Sequence, residues 1–248
     1  MRAALAFGPL RCALALDGVA LPPELERWCV APAPGDVELV VRAGAAPGAR
    51  DPEGFAGDGY AVSGDVVTLA PGRPRALVTA LAALLAQRAP SAGCVVLHCA
   101  AVRVAGGVAL FFAPPGTGKT TLAALSGGRS FAHNAVVAAA GPEPTAWAFP
   151  FAGDRRPELD AAGGARVRAL ARLERGERPG FEWLPRSGAT VVVMRHCARA
   201  PARDALAGER FVIASALALG VPFGRAAATR GPRDLDPLDQ ALATEPLP

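Results

Sequence analysis

The sequence predicts an α/β fold in which a mixed sheet with flanking helices is preceded by a β-rich N-terminal part. Three observations carry this expectation. The first ninety residues alternate short β-like runs with turns, one long apolar stretch of helical spacing closes them, and strand-like and helix-like runs alternate from position 94 onward. With 248 residues, 51% of them hydrophobic and 19% charged, the chain can bury a substantial core, which excludes disorder throughout. The 28 Gly and 24 Pro show no three-residue period, which excludes a collagen-like chain.

The elements follow in order. Val37–Val41, Tyr60–Val62 and Val66–Leu69 read as strands punctuated by Pro-Gly, Gly-Asp and Asp-Gly pairs. Residues 75–87 read as a helix, because Leu77, Leu81, Leu84 and Leu85 share a face and Pro90 stops it. Cys94–His98 and Val108–Phe112 read as strands, the second feeding a glycine-rich turn, and Lys119–Leu125 as a short helix closed by Gly127-Gly128. Ala135–Ala139, Trp147–Phe149 and Thr190–Met194 read as strands, and Ala165–Leu173 and 205–219 as helices. The tail, 232–248, reads as loop with a loose last helix. The predicted organisation is a β-rich subdomain over 1–73 packed on the core, a core over 74–230, and a C-terminal tail over 231–248.

Charge and cysteine usage narrow the class. The 26 basic and 22 acidic side chains leave 26 − 22 = +4, and no basic run or aromatic interleaving marks a nucleic-acid face. Trp147 and Trp183 read as packing residues. No apolar stretch reaches the roughly 20 residues of a spanning helix, so no membrane partner is expected. Met1–Leu10 is apolar but short and broken by Arg11, which argues against a leader. Five scattered cysteines do not form a disulfide framework, and a cytoplasmic protein is expected. No Cys-x-x-Cys occurs, and the neighbours His98-Cys99 and His196-Cys197, read as strand residues, would point to opposite faces, which weakens a shared metal.

One segment carries chemistry. Ala113-Pro114-Pro115-Gly116-Thr117-Gly118-Lys119-Thr120 is a close match to G-x-x-x-x-G-K-[ST], set after an apolar strand and before a helix. Gly116 and Gly118 allow a backbone whose N–H groups converge on phosphate oxygens. Lys119 is the only lysine in a chain otherwise written in arginine, and a compact ammonium is what a polyphosphate site needs. Thr120 would offer its hydroxyl to Mg²⁺, and Pro115 through Thr121 form the expected nucleotide site. Ala113 departs from the first glycine of the pattern, which is tolerable at ordinary φ. The best candidate for a second, Mg²⁺-organising strand, Thr190–Met194, ends in Arg195-His196 without a carboxylate, which counts against a motor or GTPase.

The order of segments around this loop resembles the bacterial HPr kinase/phosphorylase-like family. The resemblance rests on Leu97-His98-Cys99-Ala100-Ala101-Val102 and on Gly106–Phe112 running into the loop. Beyond the loop it rests on Pro150–Asp154, Arg168–Gly176 and Gly220-Val221-Pro222-Phe223. It covers roughly residues 75–225. It implies a P-loop core related to phosphoenolpyruvate carboxykinase, with ATP and Mg²⁺ as cofactors. The implied activity is phosphoryl transfer to a hydroxyl of a peptide, protein or small molecule, with a lean toward biosynthetic tailoring. The resemblance also implies that His98 approaches the phosphates from a neighbouring strand.

Where the family carries an Asp pair or a single Asp after the loop helix, this chain has His133-Asn134. Two readings stand open. In one, His133 takes the proton and Asn134 serves Mg²⁺ or orients the acceptor; in the other, the protein binds nucleotide without efficient transfer and acts as a regulator or partner subunit. A third, a P-loop ATPase of another lineage, needs a carboxylate from elsewhere, with Asp154, Glu158 and Asp160 as candidates. Arg155 and Arg156 could neutralise phosphate, and His196 reads as structural. The sequence leaves ATP against GTP, the acceptor and the oligomeric state open.

Overall fold

The computed structural model of the chain describes residues 1–44, 55–73, 75–149, 163–198 and 205–244. Among them the chain is α/β, with two mixed sheets and flanking helices. The first sheet is built from β1 (Arg2–Phe7), β2 (Leu10–Asp17), β3 (Cys29–Val30), β4 (Val37–Ala43), β5 (Phe55–Gly57), β6 (Tyr60–Ser63) and β7 (Val66–Leu69), in the order β3-β1-β2-β4-β7-β6-β5. The apolar N-terminus is thus a strand: Leu5 pairs with Cys12 and Phe7 with Leu10 across a hairpin. Along β2 buried and half-buried positions alternate strictly, as a strand covered on one face requires.

Helix α1 (Arg75–Arg88) is apolar nearly all the way round and is buried accordingly, with Leu77, Ala80, Leu81, Leu84, Leu85 and Ala86 all in the core. It packs on β6, β7 and the first strand of the second sheet, β8 (Cys94–Leu97). Direct contact between the sheets adds to this: the rings of Phe7 and Phe149 meet edge-on at 4.8 Å. Gly8 lies so close to Trp147 that a Cβ would stand 2.3 Å from its ring.

The second sheet continues with β9 (Ala100–Val104), β10 (Gly107–Phe112), β11 (Ser130–Ala132), β12 (Val136–Ala139), β13 (Thr145–Ala148), β14 (Ala165–Arg175), β15 (Gly180–Leu184) and β16 (Phe223–Ala228). Its helices are α2 (Lys119–Ala124), α3 (Ala189–His196), α4 (Ala207–Gly220) and α5 (Asp236–Thr244). Strands β10, β14 and β16 run parallel, β9 is antiparallel to β10, and β11 is antiparallel to β9. One face of these strands, through Phe111, Ala169, Ala171 and Leu173, packs on Leu122 of α2 and on Leu238 and Leu242 of α5. The other face, through Leu110, Phe112, Leu170 and Phe223, packs with Val193 of α3 and Leu217 of α4. No helix among the described residues is long and apolar enough to cross a membrane.

Two expected elements are corrected. Residues 165–173, expected as a helix, are the strand β14, because main-chain pairing with β10 and β16 outweighs the helix propensity of its Ala, Leu and Arg residues. Residues 190–194, expected as a strand, lie in α3, where Ala189 and Val193 turn inward one helical turn apart and Val191 is exposed. In the tail, α5 is anchored in the core by Leu235, Leu238 and Leu242.

Candidate functional site

Register fixes which residues share an edge of the second sheet. Phe111 pairs with Ala100, and Ala101 with Ala132, so the end of β10, the start of β9 and the end of β11 lie at one edge. The parallel strands β14 and β16 end there as well. From one side to the other this edge carries His133-Asn134 after β11, His98-Cys99 before β9, the 113–118 turn after β10, Arg172–Arg175 closing β14, and Thr229-Arg230 after β16.

The turn itself is built by its glycines. Gly116 has φ 77° and Gly118 φ 120°, both in the region that side chains rarely adopt, whereas Ala113 keeps the ordinary φ its methyl requires. The amide and hydroxyl of Thr117 both donate to the Pro114 carbonyl, at 3.4 and 3.0 Å, and Arg175 Nη2 donates to the Gly116 carbonyl at 2.7 Å. Lys119 opens α2 and is 6% exposed. Its Nζ donates to the carbonyls of Ala113 at 2.6 Å and Pro114 at 3.4 Å, which folds the ammonium onto the turn. Burial pulls its pKa below the ordinary 10.5, with Cys99 acting in the opposite sense. Thr120 and Thr121 follow, half-buried, on the first turn of the helix.

His98 is half-buried, and its backbone N–H donates to the His196 carbonyl at 2.7 Å. Its pKa is lowered first by burial and then by the positive charge of Lys119 and by His196, so a neutral imidazole is favoured beside the turn. His196 is engaged in packing: Nδ1 lies 2.8 Å from the Val192 carbonyl, and the ring leans on Phe112 at 5.4 Å. A bridge between Leu97 and Cys197 sets the two His-Cys pairs side by side, although Cys197 follows a helix rather than lying in a strand. Among the described residues no group of three or more His, Cys, Asp or Glu side chains could by itself hold a metal ion. His133 and Asn134 are half-buried in the bend between β11 and β12, at the same edge as the turn but separated from it by β9.

Beside the turn lies a cleft of about 590 Å³ lined by Pro114–Thr117 and Arg172–Arg175. It contains a carboxylate, Glu174, that no sequence motif marks. Glu174 pairs with Arg172 and, at 3.9 Å, with Arg225, which in turn pairs with Glu182 at 2.8 Å. The missed signal was period two: Arg166, Arg168, Arg172 and Glu174 alternate with apolar Val167, Ala169, Ala171 and Leu173. Read as a helix, 165–173 gives no reason to single out Glu174, which in the fold closes the strand next to β10. Asp154, Arg155, Arg156, Glu158, Asp160 and the Pro150–Asp154 segment lie outside the described residues.

The chain matches no protein-family model and no curated protein.

Proposed function

We propose that this chain is an ATP-dependent phosphotransferase, moving the terminal phosphoryl group of ATP·Mg²⁺ onto a hydroxyl of a peptide, protein or small molecule. The observation that carries the reading is the buried Lys119 ammonium, folded onto the carbonyls of a glycine turn between a parallel strand and a helix. A buried cation whose partners among the described residues are carbonyls is costly to keep, and an anionic ligand offsets that cost. The adjoining cleft has the volume of a small-molecule site and is lined by Arg172 and Arg175.

In this reading the amides from Gly116 onward hold the phosphates, and Lys119 exchanges the carbonyls of Ala113 and Pro114 for phosphate oxygens. The donor set fits Mg²⁺, which takes one or two protein oxygens and completes its shell with phosphates and water. Thr120 and Glu174 are the residues that would hold it, and the ion would neutralise charge on the phosphoryl oxygens. The bond from phosphorus to the ADP oxygen breaks as the bond to the acceptor oxygen forms. The acceptor's proton passes to His133, with Asn134 orienting the acceptor and the neutral imidazole of His98 bordering the phosphates.

A second reading, nucleotide binding without transfer, is favoured by the lack of a carboxylate at His133-Asn134. One experiment separates the two. Calorimetry of ATP·Mg²⁺ uptake by the full chain is paired with mass spectrometry of acceptors incubated with ATP. Uptake with a phosphorylated product that Lys119→Ala abolishes supports the enzyme. Uptake with no product across peptide, protein and small-molecule acceptors supports binding alone, and no uptake by folded protein ends both.

A further inference from the structure

The segment leaving β16 does something the glycine-rich turn does not explain. Arg230 has φ 68° and is the only non-glycine residue with positive φ among the described residues, although Gly231 stands next to it. That conformation disfavours any L side chain, and such a position persists when the surroundings over-determine it. The surroundings here are Asp234, 5% exposed. Its carboxylate accepts from the Thr229 amide (3.0 Å), the Thr229 hydroxyl (2.8 Å), the Arg230 amide (2.8 Å) and the Gly231 amide (3.0 Å).

Two consequences follow. The carboxylate is taken up by the turn, and no carboxylate pairs with the Arg230 guanidinium among the described residues. The clasp also aims the side chain, since Arg230 Nε lies 3.9 Å from where a Cβ on Gly118 would stand. Arg230 therefore crosses from the end of β16 to the residue just before Lys119, while Arg175 from β14 holds Gly116. Both parallel strands on that side of β10 send an arginine to the same turn.

We propose that Arg230 binds the terminal phosphate of the nucleotide, and that Asp234 is the positioning residue which holds it there. The ligand class is a nucleoside triphosphate in preference to a diphosphate. The ammonium after such a turn addresses the outer phosphates, and a planar guanidinium beside it pairs with the oxygens only a third phosphate supplies. This inference rests on the nucleotide-binding reading above.

The test uses Arg230→Gly, which removes the guanidinium and at the same time relieves the left-handed backbone, so the variant should melt at or above the wild-type temperature. Calorimetry with ATP·Mg²⁺ and ADP·Mg²⁺ on the full chain should show wild type preferring ATP. Arg230→Gly should lose about 10- to 100-fold in ATP affinity and leave ADP within about threefold, as expected for one charge-assisted contact. Asp234→Asn should lower the ATP/ADP ratio in the wild-type background and leave it unchanged in Arg230→Gly, which a purely structural role would not do. A folded Arg230→Gly that keeps the wild-type ratio overturns the inference while leaving nucleotide binding intact. Failure of wild type to take up either nucleotide overturns the reading on which it rests.

Discussion

Replacing Lys119 with Met gives the sharpest test of the site, because it separates ligand binding from stability. The residue is 6% exposed, and its polar contacts among the described residues are the carbonyls of Ala113 at 2.6 Å and Pro114 at 3.4 Å. Methionine replaces it with an unbranched apolar side chain. It gives up two charge-assisted hydrogen bonds but also removes the cost of desolvating an ammonium, and these effects oppose each other. The melting temperature should therefore move by only a few degrees. Binding has no such compensation. Losing a charge-assisted contact to phosphate removes about 2–3 kcal/mol, which at about 1.4 kcal/mol per decade weakens ATP·Mg²⁺ by roughly 30- to 150-fold. Calorimetry and thermal melts on the same preparations read both quantities. A variant that folds and binds ATP within about twofold of wild type would refute the placement of this ammonium on the phosphates.

Other changes probe the frame and the remaining groups. Gly8→Ala puts a methyl 2.3 Å from the Trp147 ring at φ 67°, and should cost about 3 kcal/mol, read as a melting temperature lowered by roughly 6–12 °C. Glu174→Gln keeps the shape of the Arg172 contact but removes the charge, so Mg²⁺ should strengthen ATP binding less than in wild type and transfer should fall about tenfold or more; an unaltered Mg²⁺ dependence would remove Glu174 from the site. His98, with a pKa lowered below its ordinary 6.5 by burial, binds its proton more readily in the unfolded chain. Its contribution to stability is whole above pH 6.5 and is lost as pH falls from there through the folded value. His98→Gln should flatten the dependence of melting temperature on pH below 6.5, and a slope identical to wild type would show that His98 is not the group responsible.

Much of the frame is legible in the chain itself. The β-branched runs of β4, β6 and β7, the leucine face of α1 and the strand–turn–helix of β10 and α2 follow from local pattern, because there periodicity and punctuation agree. Two elements fail for the same physical reason. In 165–175 the residues are good helix formers, and Leu170 and Leu173 also satisfy a helical spacing, but the unpaired edge of β10 needs a partner. In 190–194 the run Thr-Val-Val-Val-Met favours a strand locally, yet packing on α4 and β10 turns it into a helix. Long-range contacts decided both, pairing in one and packing in the other, and no local window contains them. The Asp234 clasp is hidden likewise: an Asp four residues after an Arg says nothing until β16 brings Thr229 to the end of β14.

The exchange of helix and strand bears directly on the chemistry. Adjacent strands lie about 4.8 Å apart, so the end of β14 is one spacing from the turn that follows β10, whereas the end of β11 is two spacings away on the other side, beyond β9. Mg²⁺, if held by Thr120 and the phosphates, would draw a further oxygen from a group near the turn, and β14 is one of the two strands beside β10. Glu174 stands on β14, paired with Arg172 and Arg225. His133 lies two strand spacings, roughly 10 Å, from the turn, across β9, and in the proposed reaction it is the group that takes the acceptor's proton. The lack of a carboxylate at His133-Asn134 therefore does not by itself imply lost catalysis, since the two duties of one acidic pair can be divided between strands on either side of the turn. If they are, Glu174→Gln will alter Mg²⁺-dependent ATP binding while His133→Ala leaves binding alone and slows transfer by about 100-fold or more. If both variants transfer at the wild-type rate, the division is wrong.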